Sequence, residues 1–448
     1  MTKQLNLGML FLAATLVAAL TVAPAFGNSP TYQTLITLKG VSNGGQPWAT
    51  PIVDKSGNLY GTASEGGNGA ACVFRGIAYG CGVVYKLSAP ATGSQWIETL
   101  IYQFQGDADG KYPVGSLVFD AHGNLYGTTQ YGGTSAAGTV FELSPPPSGS
   151  GPWTKTTIYN FPGGASGNSP VAGLIFDEAG NLYGTTSLGG TCNAEYCGVV
   201  FELSPPAAPG AEWTETVLYT FQGTPDGGLP ESTLVLSDGK LYGTTEFGGL
   251  GDYCGISENC GTIFQLSPPS APGGTWTETI LHSFSLTNDD GALPRSGLVL
   301  GTAGTFFGVT ESGGSFGTGS VYQLVPPASP TGAWSENVIY SFVYPLGEGP
   351  FGTPVIGGNG SLYGTTMAGG DREYGNVYQL TPPASPGAPW AETVLTDFNY
   401  VAYPFAGLTF GQDGWLYGAT LGGDETDTCQ SGLGQQSRGC GTLFRVHP

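Results

Sequence analysis

Seven copies of one short phrase punctuate this chain, and no other feature limits its fold as tightly. They read Leu59-Tyr60-Gly61-Thr62, Leu125-Tyr126-Gly127-Thr128-Thr129, Leu182-Tyr183-Gly184-Thr185-Thr186, Leu241-Tyr242-Gly243-Thr244-Thr245, Phe306-Phe307-Gly308-Val309-Thr310, Leu362-Tyr363-Gly364-Thr365-Thr366 and Leu416-Tyr417-Gly418-Ala419-Thr420. The aromatic positions lie 54–66 residues apart. Periods of that size are slightly longer than known propeller blades and too long for ankyrin-type or leucine-rich units.

Each period reads as four strands. In the third, Gly173 to Asp177 is a short apolar run that ends in the turn Glu178-Ala179-Gly180-Asn181. Leu182 to Thr186 follows, rich in aromatic and β-branched residues. Gly198 to Leu203 is next, stopped by Pro205-Pro206, which lack the N–H that a ladder needs. Trp213 to Phe221 then alternates polar and apolar residues, the pattern of a half-buried outer strand. The last period stops after its third strand, Thr442 to Val446, while Tyr32 to Leu38 stands alone as a fourth-type strand. Six whole units and one split unit make an all-β, seven-bladed propeller of four-stranded blades over 28–448. The N-terminal strand completes the last blade and removes exposed sheet edges. An open solenoid would leave both terminal halves unexplained. The Gly of the phrase is expected to permit close backbone approach between neighbouring blades.

The Leu-Tyr-Gly-Thr-Thr copies, the Gly-Gly that follows them, and Gly-Thr-Val-Phe-Glu-Leu at 138–143 resemble the Gloeo-Verruco (GloVer) tandem-repeat family of exported bacterial proteins. The resemblance covers essentially the whole chain after its leader. It implies export, and in many members a C-terminal surface anchor, but no catalytic residues to carry over. This chain ends at His447-Pro448 instead of in an anchor.

Residues 1–27 read as a signal peptide: Lys3, an uncharged apolar run from Leu7 to Ala23, then small residues around Ala25 and Gly27. A secreted, periplasmic or cell-surface monomer, free of the membrane after cleavage, is the expectation. The net charge of −21 would repel phosphate backbones and excludes nucleic acid as a partner.

All eight cysteines fall in loops between second and third strands, as Cys72/Cys81, Cys192/Cys197, Cys254/Cys260 and Cys429/Cys440. Two per loop predicts four local disulfides, with a shared all-thiolate zinc site as the competing arrangement. A second column, Asn43-Gly-Gly-Gln-Pro47, Asp109-Gly-Lys-Tyr-Pro113, Ser166-Gly-Asn-Ser-Pro170, Asp226-Gly-Gly-Leu-Pro230 and Asp290-Gly-Ala-Leu-Pro294, links each fourth strand to the next unit. In an up-and-down blade these turns and the cysteine loops share one face.

That face is the candidate functional surface, because loops on a rigid scaffold gather binding residues. Its candidates are Asp107, Asp109, Tyr112, Asp226, Asp289, Asp290, Tyr196 and Tyr253. Asp107 and Asp109 could begin a calcium loop of hard oxygen ligands, although Asp109 also belongs to the turn column. Catalysis lacks a signature. His122, His282 and His447 are read as structural residues, with His282 standing where the third unit has Tyr219. There is no phosphate-cradling lysine loop and no His-x-x-x-His metal spacing. The leading reading is therefore a non-catalytic extracellular recognition module for a glycan or a protein. The alternatives are a carbohydrate-active hydrolase or lyase with carboxylates at the axial funnel, and a structural envelope protein.

Overall fold

The computed structural model describes residues 31–448 apart from 70–71, 75–76, 91–94, 148, 150, 193–195, 209–210, 251–253, 255–259, 272, 288, 330–331, 386, 400–401 and 424–440. It is a seven-bladed β-propeller of antiparallel sheets, numbered here by the blades carrying Tyr60 (one) through Tyr417 (seven). Blade one is typical: Ile52–Val53 at the axis, then Leu59–Ala63, Val83–Ser88 and Ile97–Gln103 on the rim. Blade six adds a short fifth strand, Glu348–Pro350. The ring closes as the split repeat requires. Thr31–Thr37 pairs antiparallel with Thr442–His447, with Tyr32 opposite Val446 and Thr37 opposite Thr442.

The apolar residues are divided into seven wedges, each between adjacent blades. One aromatic from each third strand fills a wedge: Tyr85, Phe141, Phe201, Phe264, Tyr322, Tyr378 and Phe444, all fully buried. These rings explain the repeated glycine, and they correct the expectation of backbone contact between blades. A Cβ on Gly127 would stand 2.7 Å from Phe141 Cζ and 2.8 Å from Leu117 Cδ2, and Gly184 and Gly243 are just as crowded by Phe201 and Phe264. The glycine makes room for the aromatic ring of its own blade's next strand.

The two threonines of the phrase act as ties. Thr128 Oγ1 donates to Ala172 O of the next blade at 3.1 Å, and Thr244 Oγ1 to Ser296 O at 2.8 Å. The second threonine pairs with a hydroxyl across the sheet, as in Thr129–Thr139 and Thr245–Thr262, each at 2.8 Å. Buried hydroxyls must be satisfied, and these satisfy one another.

The outer strands depart from simple alternation. The pairing register slips between Val200 and Phe201, which leaves Leu218 as the extra residue of a bulge; the same slip recurs in every blade. A bulge turns one more side chain inward and increases the local twist. Leu218 is buried in the wedge towards blade four. The strand's tryptophan faces the other way, onto the phrase tyrosine of the preceding blade. Trp153 meets Tyr60 at 6.2 Å, and Trp96 meets Tyr417 at 5.9 Å across the closure.

Three disulfides form as expected: Cys72–Cys81, Cys192–Cys197 and Cys254–Cys260. They exclude a shared thiolate zinc site at blades three and four. Cys429 and Cys440 lie outside the described residues, as does the segment 1–27 expected to be a leader. Disulfides fit an oxidising compartment. No helix among the described residues is long and apolar enough to cross a membrane.

Candidate functional site

The column ending in proline brings the chain from the rim to the axis. The residue before each proline is left-handed: Gln46, Tyr112, Ser169, Leu229, Leu293, Gly349 and Tyr403 have φ between 44° and 61°. A side chain in that region costs about 1–2 kcal/mol, so the surrounding structure must hold it. Paired backbone bonds do so. Tyr112 N donates to Cys81 O of the preceding blade at 2.9 Å, and Tyr112 O accepts from Gln130 N at 3.0 Å. Leu229 repeats this with Cys197 and Glu246, and Leu293 with Cys260 and Glu311. These bonds place the turns and the cysteine loops on one face, and they make each cysteine loop the seat of its neighbour's turn.

The residue after each proline reaches the axis at one fixed register, and there the blades stop being alike. In blade order it is Trp48, Val114, Val171, Glu231, Arg295, Phe351 and Phe405. All seven line a cavity of about 320 Å³ at the mouth of the central channel. Its floor is a ring of small residues, including Gly173 and Gly297. Their N–H groups donate to Thr233 Oγ1 at 3.1 Å and Thr353 Oγ1 at 2.9 Å, respectively.

The ring divides into arcs. Phe351, Phe405 and Trp48, from blades six, seven and one, form an aromatic arc. Ring centroids are 4.7 Å apart for Phe351–Phe405 and 5.1 Å for Trp48–Phe405, and Trp48 is exposed. Glu231 and Arg295, from blades four and five, form a charged arc. Arg295 Nη2 lies 2.7 Å from Glu246 Oε1, and its Nε lies 2.7 Å from Glu311 Oε2. The guanidinium also stands 5.6 Å from the Phe351 ring centroid, joining the two arcs. Glu231 and Glu246 hydrogen-bond each other. Burial pushes both carboxyls up, Glu246 to about 8, against the pull of Arg295. One cation facing three carboxyl groups leaves a proton to be shared. Glu65, one residue beyond the blade-one counterpart of Glu246, is raised by burial to about 7.

The candidates read from sequence lie further out. Asp109 accepts from Tyr102 Oη and Gln105 N at 2.8 Å and pairs with Lys155 Nζ at 2.9 Å. Asp226 accepts from Tyr219 Oη at 2.6 Å and Gln222 N at 2.9 Å. Asp290 holds His282 Nε2 at 3.0 Å and accepts from Ser285 N at 3.1 Å. These three aspartates clasp the turn to the outer strand. Asp107 and Asp289 are exposed, in left-handed backbone. Tyr112 packs edge-on against Tyr131 at 6.1 Å, and Tyr196 lies 5.4 Å from Phe247. Tyr253 is outside the described residues. None of the seven described candidates lines the axial cavity.

Sequence reasoning followed the turn column as far as its proline and missed the residue beyond. The signal was available: seven aligned positions read Trp, Val, Val, Glu, Arg, Phe, Phe, while the residue before is always proline and the residue after is always small.

The family model for the Gloeobacter/Verrucomicrobia repeat matches residues 21–257 and again 252–448. The chain belongs to that family. No curated protein matches this Gloeobacter/Verrucomicrobia repeat chain. Among solved structures, a fungal alcohol oxidase of the AA5 family, in complex with copper, is 16% identical with a TM-score of 0.56. It covers 94% of this chain and 77% of its own. A putative 6-phosphogluconolactonase from Bacteroides uniformis is 14% identical with a TM-score of 0.46, covering 75% and 84%. An α-L-arabinanase from Penicillium chrysogenum, complexed with arabinobiose, is 14% identical with a TM-score of 0.41, covering 93% and 98%. At such identities the likeness concerns the fold, which hosts many unrelated chemistries.

Proposed function

We propose that this repeat protein is an exported recognition module that holds a neutral saccharide at its axial mouth. The observation that carries the reading is the division of an otherwise repetitive ring into an aromatic arc and a charged arc around one cavity. Sugars present apolar C–H faces and hydroxyl edges, and such a cavity offers partners for both. Phe351, Phe405 and Trp48 supply stacking surface, while Glu231, Glu246 and Arg295 supply directed donors and acceptors. Arg295 is already compensated by two glutamates, and the chain carries a net charge of −21. Polyanionic glycans are therefore disfavoured. The leader and the disulfides support an extracytoplasmic site of action.

The glutamates support binding better than hydrolysis. Glycosidases set their two carboxyl groups about 5–5.5 Å or 6.5–9.5 Å apart across the scissile bond. Here Glu231 and Glu246 bond to each other, and Glu246 and Glu311 are held by one guanidinium.

The test is a glycan array followed by calorimetry on residues 28–448, with neutral and uronate oligosaccharides side by side. Neutral ligands should bind. Trp48→Ala and Phe405→Ala should each weaken binding about tenfold, or ~1.4 kcal/mol, and Trp48→Ala should leave the melting temperature unchanged. Silence across the neutral panel, or affinity indifferent to both substitutions, would refute the reading.

A further inference from the structure

A second constellation lies on the rim, far out along the blades from the axial cavity. Its origin is a repeated joint. The sixth residue of the outer strand projects towards the turn of its own blade and the second residue of the next blade's outer strand. In most blades the joint is a phenol meeting carboxylates. Tyr159 Oη donates to Glu215 at 2.7 Å, Tyr340 Oη to Glu392 at 2.6 Å, and Tyr219 Oη to Asp226 at 2.6 Å. At the blade one–two joint Lys155 replaces the glutamate and neutralises Asp109. At the closure, Asn43 Nδ2 donates to Glu98 at 2.7 Å.

The joint between blades four and five is built differently. His282 takes the tyrosine position, Asp290 comes from the turn, and Glu336 comes from the next outer strand. One ligand atom from each lies within 4.8 Å of the other two. His282 Nε2 and Asp290 Oδ2 are 3.0 Å apart. The imidazole stands edge-on to Phe284, with centroids 4.7 Å apart, which fixes its plane. Glu336 is the less satisfied partner. Glu98, Glu215 and Glu392 each accept a hydrogen bond, from Asn43, Tyr159 and Tyr340 respectively. Glu336, like Glu278 at the preceding joint, accepts no hydrogen bond among the described residues, whereas the buried, unpartnered Oε1 is common to Glu98, Glu215, Glu278, Glu336 and Glu392. What Glu336 alone has is an imidazole and a second carboxylate within reach.

We propose that His282, Asp290 and Glu336 form a binding site for a divalent transition cation, zinc in the first instance, that bridges blades four and five. One imidazole and two carboxylates are a ligand set that zinc accepts, whereas calcium and magnesium prefer all-oxygen shells. Tetrahedral zinc with bonds of about 2.0–2.1 Å keeps its ligand atoms ~3.3 Å apart. The three ligand atoms need only small side-chain rotations to reach that spacing. The fourth position faces the half-exposed rim and would be taken by water. A cation there brings positive charge to two carboxylates, where Lys155 at the first joint brings it to Asp109 alone, and it ties two separate strands together. A phenol in the same position donates one hydrogen bond and leaves no neutral nitrogen ligand. Replacing tyrosine by histidine is thus the change that makes the joint a metal site.

The repeat supplies its own control. His282→Tyr installs the residue that blades one, two, three and five carry in that position, so the variant should fold. Chelator-stripped full chain without its leader would be titrated with zinc chloride by calorimetry and followed by thermal melting. The expected result is one equivalent bound and a melting temperature that rises with zinc. His282→Tyr should abolish both effects while melting cooperatively without metal. Glu336→Gln should weaken zinc binding at least tenfold, and excess calcium should not displace it. Absence of zinc binding by the parent chain, or zinc binding of the same strength in both variants, would overturn the proposal.

Discussion

Among single residues, Arg295 carries the most, because three carboxyl groups depend on one guanidinium. The glutamate raised to about 8 sets the sign of the pH effect. In the unfolded chain Glu246 loses its proton near 4.5, its ordinary value, whereas the folded protein keeps it through neutrality. Between those limits the native state binds more protons, so this residue's contribution to stability falls as pH rises and levels off above about 8. Arg295→Met would remove the compensating charge. At pH 5, with Glu246 protonated, the substitution should cost less than at pH 8. At pH 8 the cost should grow, staying below the ~3–5 kcal/mol of breaking a fully buried pair because the arginine is part exposed. Urea denaturation of both proteins at the two pH values measures the difference, and equal losses would contradict the charge assignment. The same residue marks the limit of sequence reading. Arg295 follows Pro294 in a column whose conserved part advertised a turn, and nothing in one chain says that the next side chain meets six counterparts around an axis. Asp109, Asp226 and Asp290 were conspicuous for the opposite reason. They recur because each closes a turn, and recurrence within a repeat points to architecture before function.

At the level of elements, the outer strand and the cysteine loop do the joining. The strand's alternation was legible up to Val217; the slip at Leu218 was not, because a bulge depends on the partner strand. The pairing of cysteines was legible because two per loop leaves one local solution. Their mechanical setting was hidden: Cys81, Cys197 and Cys260 each present a carbonyl to the next blade's left-handed turn. A bridge therefore steadies two blades. Replacing Cys72 and Cys81 together by alanine should cost about 2–3 kcal/mol from the loop-closure term. Both sulfurs are buried, so a further loss from the emptied space is expected. Chemical denaturation of the double variant against the parent, both oxidised, reads the sum. A cost near zero would mean that the loop is held without its staple.

For the whole molecule, seven apolar wedges replace a single central core, and each depends on both of its flanking blades. The blade count and the split seventh sheet could be read directly from where the repeats begin and stop, since closure is a counting argument. Removing residues 31–37 would leave Thr442–His447 as a bare edge and strip Leu35 and Ile36 from the wedge between blades seven and one. The truncated chain should lose its single cooperative melting transition and self-associate, as scattering and size-exclusion would report. Unchanged, monomeric melting would mean that the ring needs no clasp. The clasp also orders events in time. Thr31 lies opposite His447, so the earliest segment of the ring to be synthesised pairs with the last. At about 5–20 residues per second it waits ~20–80 s for its partner. Its composition, Thr-Tyr-Gln-Thr-Leu-Ile-Thr, is β-prone and has no charge, proline or glycine, so for that interval it is an open edge to any other chain.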